Sequence, residues 1–356
     1  MQRPHPRKHC NLPSGLVAPT IHIMTASRIS WMDTLRGIAI LLLVVWHSSA
    51  IPVYYGYDMP TWLLLTNETV LPWRMPTLMF LSGLLLHKSI VKAPATYYVG
   101  KIRALAWPYL IWAAIHITTF PYYVGALTSP KSWIANGYLW FIFFLLAYYL
   151  IARIVVRAPW WATMLVCIGA ASAMPVPLIQ NFFYFAIFFF AGHYLRRIVH
   201  DSLSWPRQIY VAALVLTVAF TPISLWLTWS TDSHYFQHHI GAVPVVFVMI
   251  FVGVRIAARL GREYSDRWVV RRMNSAGRNS IIFYLTHFPV ITAVCGLAGL
   301  LDLPLGLWIV PSSWIAAIAV GSALTNFRDS VPFCWLFQAP SFSRRRQRVG
   351  LHRSDA

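Results

Sequence analysis

Apolar residues gather along the chain in runs long enough to be helices in lipid, and polar residues fall mostly between them. Ten such segments stand out, at about 37–53, 72–91, 104–122, 138–156, 160–175, 178–195, 208–228, 240–258, 279–299 and 304–326. A helix needs roughly 20 residues to cross the hydrocarbon core, and several of these barely reach that length. Pro52 cuts the first, and the Pro175-Val176-Pro177 turn follows the fifth. The pattern predicts an all-α, polytopic membrane helical bundle of about ten transmembrane helices. Because a largely polar stretch precedes Gly37, no cleavable signal peptide is expected.

Composition agrees with this reading. Hydrophobic residues make up 58% of the chain and charged residues 11%, where a soluble domain carries roughly 25% charged. The 17 Trp, 17 Tyr and 21 Phe suit a chain whose aromatic rings settle near lipid headgroups. The cysteines Cys10, Cys167, Cys295 and Cys334 are scattered and read as free thiols, with no metal-site spacing.

A net charge of +19 raises the question of a nucleic-acid partner, and the placement of the charge argues against one. The basic residues punctuate apolar runs and form no recognition module. With both termini in the cytoplasm, 27 of the 29 basic residues and six of the ten acidic ones fall inside. Arg74 and Lys131 fall outside, with Asp58, Glu68, Asp232 and Asp302, so the split is +21 against −2. That is the cytoplasmic bias that sets topology. It frames a cytoplasmic tail at 1–27, a transmembrane domain at 28–327 and a basic cytoplasmic tail at 328–356. Arg344, Arg345, Arg346, Arg348 and Arg353 of that tail read as solvated charge enforcing topology.

Candidate chemistry begins on the first helix. Asp33, Arg36 and His47 lie at i, i+3 and i+14. Arg36 and His47 are 11 residues apart, about 1100° at 100° per residue, so the three share one face. The rise from Arg36 to His47 is ~16 Å, which puts Arg36 near the inner boundary and His47 well inside the bilayer. Ionisable groups at membrane depth cost roughly 2.5–3.5 kcal/mol or more when charged, so they face the bundle or a wet cavity. His47 reads either as a satisfied interhelical histidine or as a general base. Arg36 is a snorkelling anchor or a clamp for a phosphate-bearing molecule, and Asp33 a helix cap or an active-site carboxylate.

On the second span, Arg74 departs from the charge bias and needs Glu68 or an anionic substrate as partner, while Ser82-Gly83 suits close helix packing. On the ninth, Ser280, Tyr284 and His287 lie at i, i+4 and i+7, again one face. Polar faces on several spans point to a shared internal cavity. The outer loop from Asp232 to His239 holds His234, His238 and His239 without a matching acidic or cysteine set, so no metal site is expected.

At these residues the chain resembles the acyltransferase-3 family of integral membrane O-acyltransferases. Asp33, Leu35, Arg36, Gly37 and Ala39, with ten residues between Arg36 and His47, match that family's first-helix signature. Met75-Pro76 through Phe80-Leu81-Ser82-Gly83 resembles its second helix, and Lys101-Ile102-Arg103 before Trp107-Pro108-Tyr109 its third. Leu139-Trp140-Phe141 and Gly277-Arg278-Asn279-Ser280 through Tyr284 and His287 resemble its fourth-helix and late-helix motifs. Ala104 follows Arg103, so the paired arginines common at the third helix are missing.

The resemblance implies transfer of an acyl group, commonly acetyl, from acyl-CoA to a hydroxyl of a sugar, glycan or glycolipid at a bacterial cytoplasmic membrane. It casts His47 as general base with Asp33 beside it, and Arg36, Lys101 and Arg103 as contacts to acyl-CoA. Arg74, Tyr284 and His287 are then contacts to the acceptor. Acyl-CoA enters as a substrate, with no tightly bound cofactor, and membrane lipids and glycan-assembly proteins are further expected partners. A transporter or flippase, or a membrane scaffold, remains an alternative reading of the same buried polar residues.

The charge split makes a prediction about topology. Reporter fusions after residue 157 and at residue 350 should report cytoplasm, and tags near residues 60 and 234 should be reachable from outside. An externally accessible residue 350 would overturn the ten-span arrangement.

Overall fold

The computed structural model describes residues 22–119, 126–230, 239–304 and 306–340. Asp232, His234 and His238 of the outer loop, Cys10 and the tail arginines lie outside these. Every regular element among the described residues is helical, as an apolar chain in lipid requires, because each backbone polar group must find its partner within its own segment. The helices are α1 His22–Val53, α2 Thr61–Leu84, α3 Leu86–Ile90, α4 Pro94–Lys101, α5 Trp107–Thr119, α6 Trp140–Val155, α7 Trp160–Ala173 and α8 Pro177–Tyr194. They continue as α9 Arg196–Ser202, α10 Arg207–Ser230, α11 Val243–Glu263, α12 Trp268–Arg278, α13 Ser280–Leu300, α14 Ile309–Phe327 and α15 Cys334–Phe337.

Among the described residues six stretches are long and apolar enough to cross a membrane: Trp31–Val53, Thr61–Ile90, Gly137–Val155, Ile240–Glu263, Ser280–Leu300 and Ile309–Phe327. The α8–α9 pair, bent by 68° at Leu195, makes a seventh if it counts as one span. The molecule is therefore an all-α, multi-pass membrane bundle.

Two boundaries differ from the sequence expectation. Helix α1 starts at His22, well ahead of the apolar run, because a helix is not confined to its hydrophobic part. Asp33 consequently sits deep inside the helix, and the capping role considered for it is ruled out. Helix α2 starts at Thr61, so residues 61–71, which the sequence pattern leaves between the first two apolar segments, are helical. Pro72 and Pro76 mimic a boundary there, yet they sit inside the helix, as proline in a membrane span is allowed to when neighbouring helices support the backbone.

The interior is unusually aromatic. Phe80, Phe144, Tyr148, Phe188, Phe189 and Phe190 are fully buried, and edge-to-face and tilted ring contacts join α6 to α8 and, through Phe247, both α2 and α8 to α11. The apolar side chains of α10, including Val215, Val218 and Trp226, face outward. In water that surface would be an aggregation hazard, whereas in lipid it costs nothing. Cys167, Cys295 and Cys334 are buried and form no disulfide.

Two helix crossings are made backbone to backbone. A Cβ added to Gly37 of α1 would fall on the Met273 carbonyl of α12, and one added to Gly277 would fall on the Asp33 carbonyl of α1. Likewise Gly83 of α2 lies against the Phe189 carbonyl of α8, and Gly192 of α8 against the Phe80 carbonyl of α2. Such small-residue contacts let helices approach closely where lipid offers no hydrophobic drive between them. Replacing Gly37 or Gly83 by Leu should therefore destabilise the purified protein by about 1–3 kcal/mol or more, read as a lower midpoint of thermal unfolding in detergent. Gly169 has nothing within 4 Å of its added Cβ, so Gly169→Ala should be neutral or stabilising by up to ~1 kcal/mol.

Candidate active site

Helix α1 presents its polar face to two cavities, one above the other. The larger has a volume of about 410 Å³ and is lined by Trp46, His47, Arg74, Tyr138, Trp140 and Asn181 among apolar residues. The smaller, about 170 Å³, holds Arg36, Ser82, Tyr149 and Ser280. Tyr284 lines both, so the stripe from Arg36 to His47 runs along two chambers that meet at one tyrosine.

His47 is fixed by its own helix. Its Nδ1 lies 3.1 Å from the Leu43 carbonyl, an atom that can only accept. The hydrogen bond therefore places the proton on Nδ1 and leaves Nε2 with its lone pair. His287 repeats the arrangement with the Phe283 carbonyl at 3.1 Å, and its buried Nε2 has no hydrogen-bond partner. The two imidazoles meet edge to face with centroids 4.6 Å apart. Two imidazoles thus stand together at membrane depth, each anchored through Nδ1 to its own helix.

Arg74 is 1% exposed. One Nη donates to the Leu42 carbonyl at 3.2 Å, and the guanidinium stacks over the Trp46 ring at 5.1 Å. Its buried Nε has no hydrogen-bond partner, and the residue lines the cavity that also holds His47. A buried cation held this way retains part of its hydrogen-bonding capacity for a ligand.

Tyr284 and Tyr138 form a reciprocal pair. The Tyr284 hydroxyl donates to the Tyr138 carbonyl, and the Tyr138 hydroxyl donates to the Leu285 carbonyl at 2.8 Å. Gly137, with φ of +46°, supplies the turn that brings Tyr138 inward. Both phenols have committed their protons, so these residues shape the wall between the chambers.

At the lower chamber, Asp33 and Arg36 form an ion pair at 4.0 Å, with side chains only 9% and 17% exposed. Lys101 lies outside the chamber, its amine 3.3 Å from the centroid of the Tyr149 ring, whose other surroundings include Arg36. Directly after Lys101 the chain makes a π-helical turn at Ile102–Ala106. Such turns in α-helices frequently mark functional sites. Arg103, in that turn, points elsewhere: one Nη donates to the Ala339 carbonyl at 3.1 Å. The structure thus sets His47, Arg74 and Tyr284 in the wall of the upper chamber, with His287 against the His47 ring, and Arg36 in the wall of the lower, with Asp33 paired to it; Lys101 stands outside against Tyr149, and Arg103 is set apart.

Sequence reading did not single out Trp46, Asn181, Tyr138 or Tyr149 as lining residues. His116 of α5, which meets Tyr138 and Phe288 edge to face at 5.4 and 5.5 Å, was also missed. Their roles depend on helix crossings far apart in the chain, and no local periodicity marks them. Among the described residues no group of His, Cys, Asp and Glu could hold a metal ion.

A family model described as an acyltransferase domain matches residues 29–325. The inner membrane protein YcfT of Escherichia coli (strain K12) is 21% identical over 303 residues, covering 72% of this chain and 78% of that protein. No solved structure matches. The long apolar helices and the bacterial inner-membrane relative make this a multi-pass bacterial membrane protein.

Burial first, and then the neighbouring Lys92, brings the Lys101 amine down to about 8. Lys101 should thus be cationic at pH 7 and lose its charge as pH rises through about 8, well below an ordinary lysine. Nuclear magnetic resonance of 13C-dimethylated protein, assigned with Lys101→Arg, should show that midpoint. Lys92→Gln removes a repelling charge and should move it upward.

Proposed function

We propose, from the premise that this chain belongs to the acyltransferase-3 family of membrane proteins, that it is an O-acyltransferase which moves an acyl group, most simply acetyl, from acyl-CoA to a hydroxyl of a sugar, glycan or glycolipid. The observation that carries this reading is the His47 tautomer: Nδ1 held by the Leu43 carbonyl and Nε2 left as a base beside a cavity of about 410 Å³. In this reading the acceptor hydroxyl gives its proton to His47 Nε2 as its oxygen attacks the thioester carbonyl. The tetrahedral oxyanion collapses, the carbon–sulfur bond breaks, and the proton passes from His47 to the departing thiolate. The free Nε of Arg74 is suited to the oxyanion or to the acceptor, because a preorganised donor in a water-poor site acts strongly on developing charge. The walls made by Trp46, Tyr138 and Trp140 offer flat apolar faces, as a pyranose ring requires.

The donor enters from the other chamber in this scheme. Arg36 holds a CoA phosphate or the pyrophosphate, its own charge kept in place by Asp33, and Lys101 adds a second cation at the chamber's edge. We further propose that the chain crosses the membrane ten times with both termini in the cytoplasm. Supporting that reading, the shorter apolar helices Trp160–Ala173 and Arg207–Ile223 join the six spans and the bent α8–α9 pair, and helix α5, Trp107–Thr119, falls in the third of the ten apolar segments.

Two substitutions test the two ends. Arg36→Ala should weaken acyl-CoA binding about 10- to 150-fold, the worth of one charge-assisted contact of roughly 1.5–3 kcal/mol, as measured directly on well-folded protein. Unchanged affinity would reject the clamp. His47→Gln keeps a polar side chain and removes the base, so it should reach the membrane, still bind acyl-CoA, and transfer acyl groups about 10²–10⁴ times more slowly. Transfer by His47→Gln at a near wild-type rate would return His47 to a packing role.

A further inference from the structure

A second cluster of ionisable side chains lies away from both chambers, and the Gly83/Gly192 crossing explains why it exists. His87 is four residues beyond Gly83, and Arg196 is four residues beyond Gly192. Each therefore stands one turn past a backbone-to-backbone contact, where two helix ends cannot spread apart. The 68° bend at Leu195 then turns α9 aside and delivers Arg197, His200 and Asp201 around the same point. Together the five residues line a recess of about 220 Å³ at the end of α2 and α8 that the charge count assigns to the cytoplasm.

The chemistry of the recess is that of an anion receptor. His87 Nδ1 is hydrogen-bonded to the Leu84 carbonyl at 2.8 Å, which commits that nitrogen and leaves Nε2 for a ligand. One Nη of Arg196 donates to the His193 carbonyl at 3.3 Å, tying one arm of the guanidinium to the scaffold and leaving its other N–H groups over. Arg197 is exposed and has no hydrogen bond or ion pair among the described residues. The opposing charge, Asp201, faces His200 at 3.2 Å. Two arginines outweigh one carboxylate, and two planar guanidinium forks suit a tetrahedral oxyanion. A purely topological cluster has no need to converge, since the cytoplasmic charge bias counts residues without regard to their arrangement.

We propose that this recess is a binding site for a phosphate group at the inner membrane face, carried either by an anionic lipid headgroup or by a soluble phosphate ester. It is independent of the acyl-transfer reading and is tested by binding, so neither result depends on turnover.

The experiment uses the purified full chain in nanodiscs and has two arms. In the first, discs contain phosphatidylcholine with or without phosphatidylglycerol, and native mass spectrometry counts the anionic lipid retained. In the second, inorganic pyrophosphate is titrated calorimetrically into protein in phosphatidylcholine-only discs. Saturable binding is expected in at least one arm, and that arm identifies the source of the phosphate. Arg196→Gln/Arg197→Gln should weaken it by about ten-fold or more, the equivalent of losing at least one charge-assisted contact. Arg207→Gln, on the next helix and outside the recess, should leave it unchanged. Asp201→Asn should tighten it, an outcome that a topological role for the cluster does not produce. The exposed single variants Arg197→Gln and His200→Gln decide the matter if the double variant does not fold. Absence of saturable binding in both arms, or equal binding by wild type and the arginine variants, overturns the proposal.

Discussion

The architecture depends on close contact between backbones at glycine. Lipid is as apolar as leucine, so helices in it gain little by burying hydrophobic side chains against each other. What they gain comes from packing, and packing is tightest where no side chain intervenes. The Gly37/Gly277 contact sets α1 directly against α12, and the polar face of α1 is thereby turned toward α13 and the chambers. Asp33 and Arg36 flank that contact, and His47 lies three turns further along the same helix. A shift of α1 along or around its axis would separate His47 from His287. The geometry of the histidine pair is thus set about 15 Å away from it.

A second consequence concerns how polarity is handled inside the bundle. The histidines do not lean on carboxylates; each spends one nitrogen on the carbonyl a turn earlier in its own helix. This satisfies the ring with what every helix already contains, and it fixes the tautomer without importing another charge into lipid. The tyrosines behave the same way, donating to carbonyls at the Tyr138 and Leu285 positions. Charge is confined to a few places: Asp33 with Arg36, and Arg74 against the Trp46 ring.

Much of this was legible in the sequence because helical periodicity is a local property. The spacing of Arg36 to His47 and of Ser280, Tyr284 and His287 placed each set on one face, and in the structure Arg36, His47, Ser280 and Tyr284 line the chambers while His287 packs against the His47 ring. Ser82-Gly83 was readable as a packing site for the same reason. The length of α2 was not, since Pro72 and Pro76 look like breakers to any local rule and are accommodated by tertiary contacts. Nor were Asn181 and Tyr149, whose neighbours across the cavities come from helices far away in the chain. The π-helical turn after Lys101 escaped notice for a subtler reason: one extra residue per turn leaves no compositional trace.

The meeting of the chambers at Tyr284 has an electrical meaning. A bacterial membrane stores energy as a potential, and moving one elementary charge through 100 mV is worth about 2.3 kcal/mol. Any molecule that worked on both sides through a continuous wet channel would drain that store with every proton that leaked past. Tyr284 lines both chambers, and in its clasp with Tyr138 the two hydroxyl protons are held by carbonyls, unavailable to hand on to water. The two chambers thus share a residue whose hydroxyl offers protons no step between them.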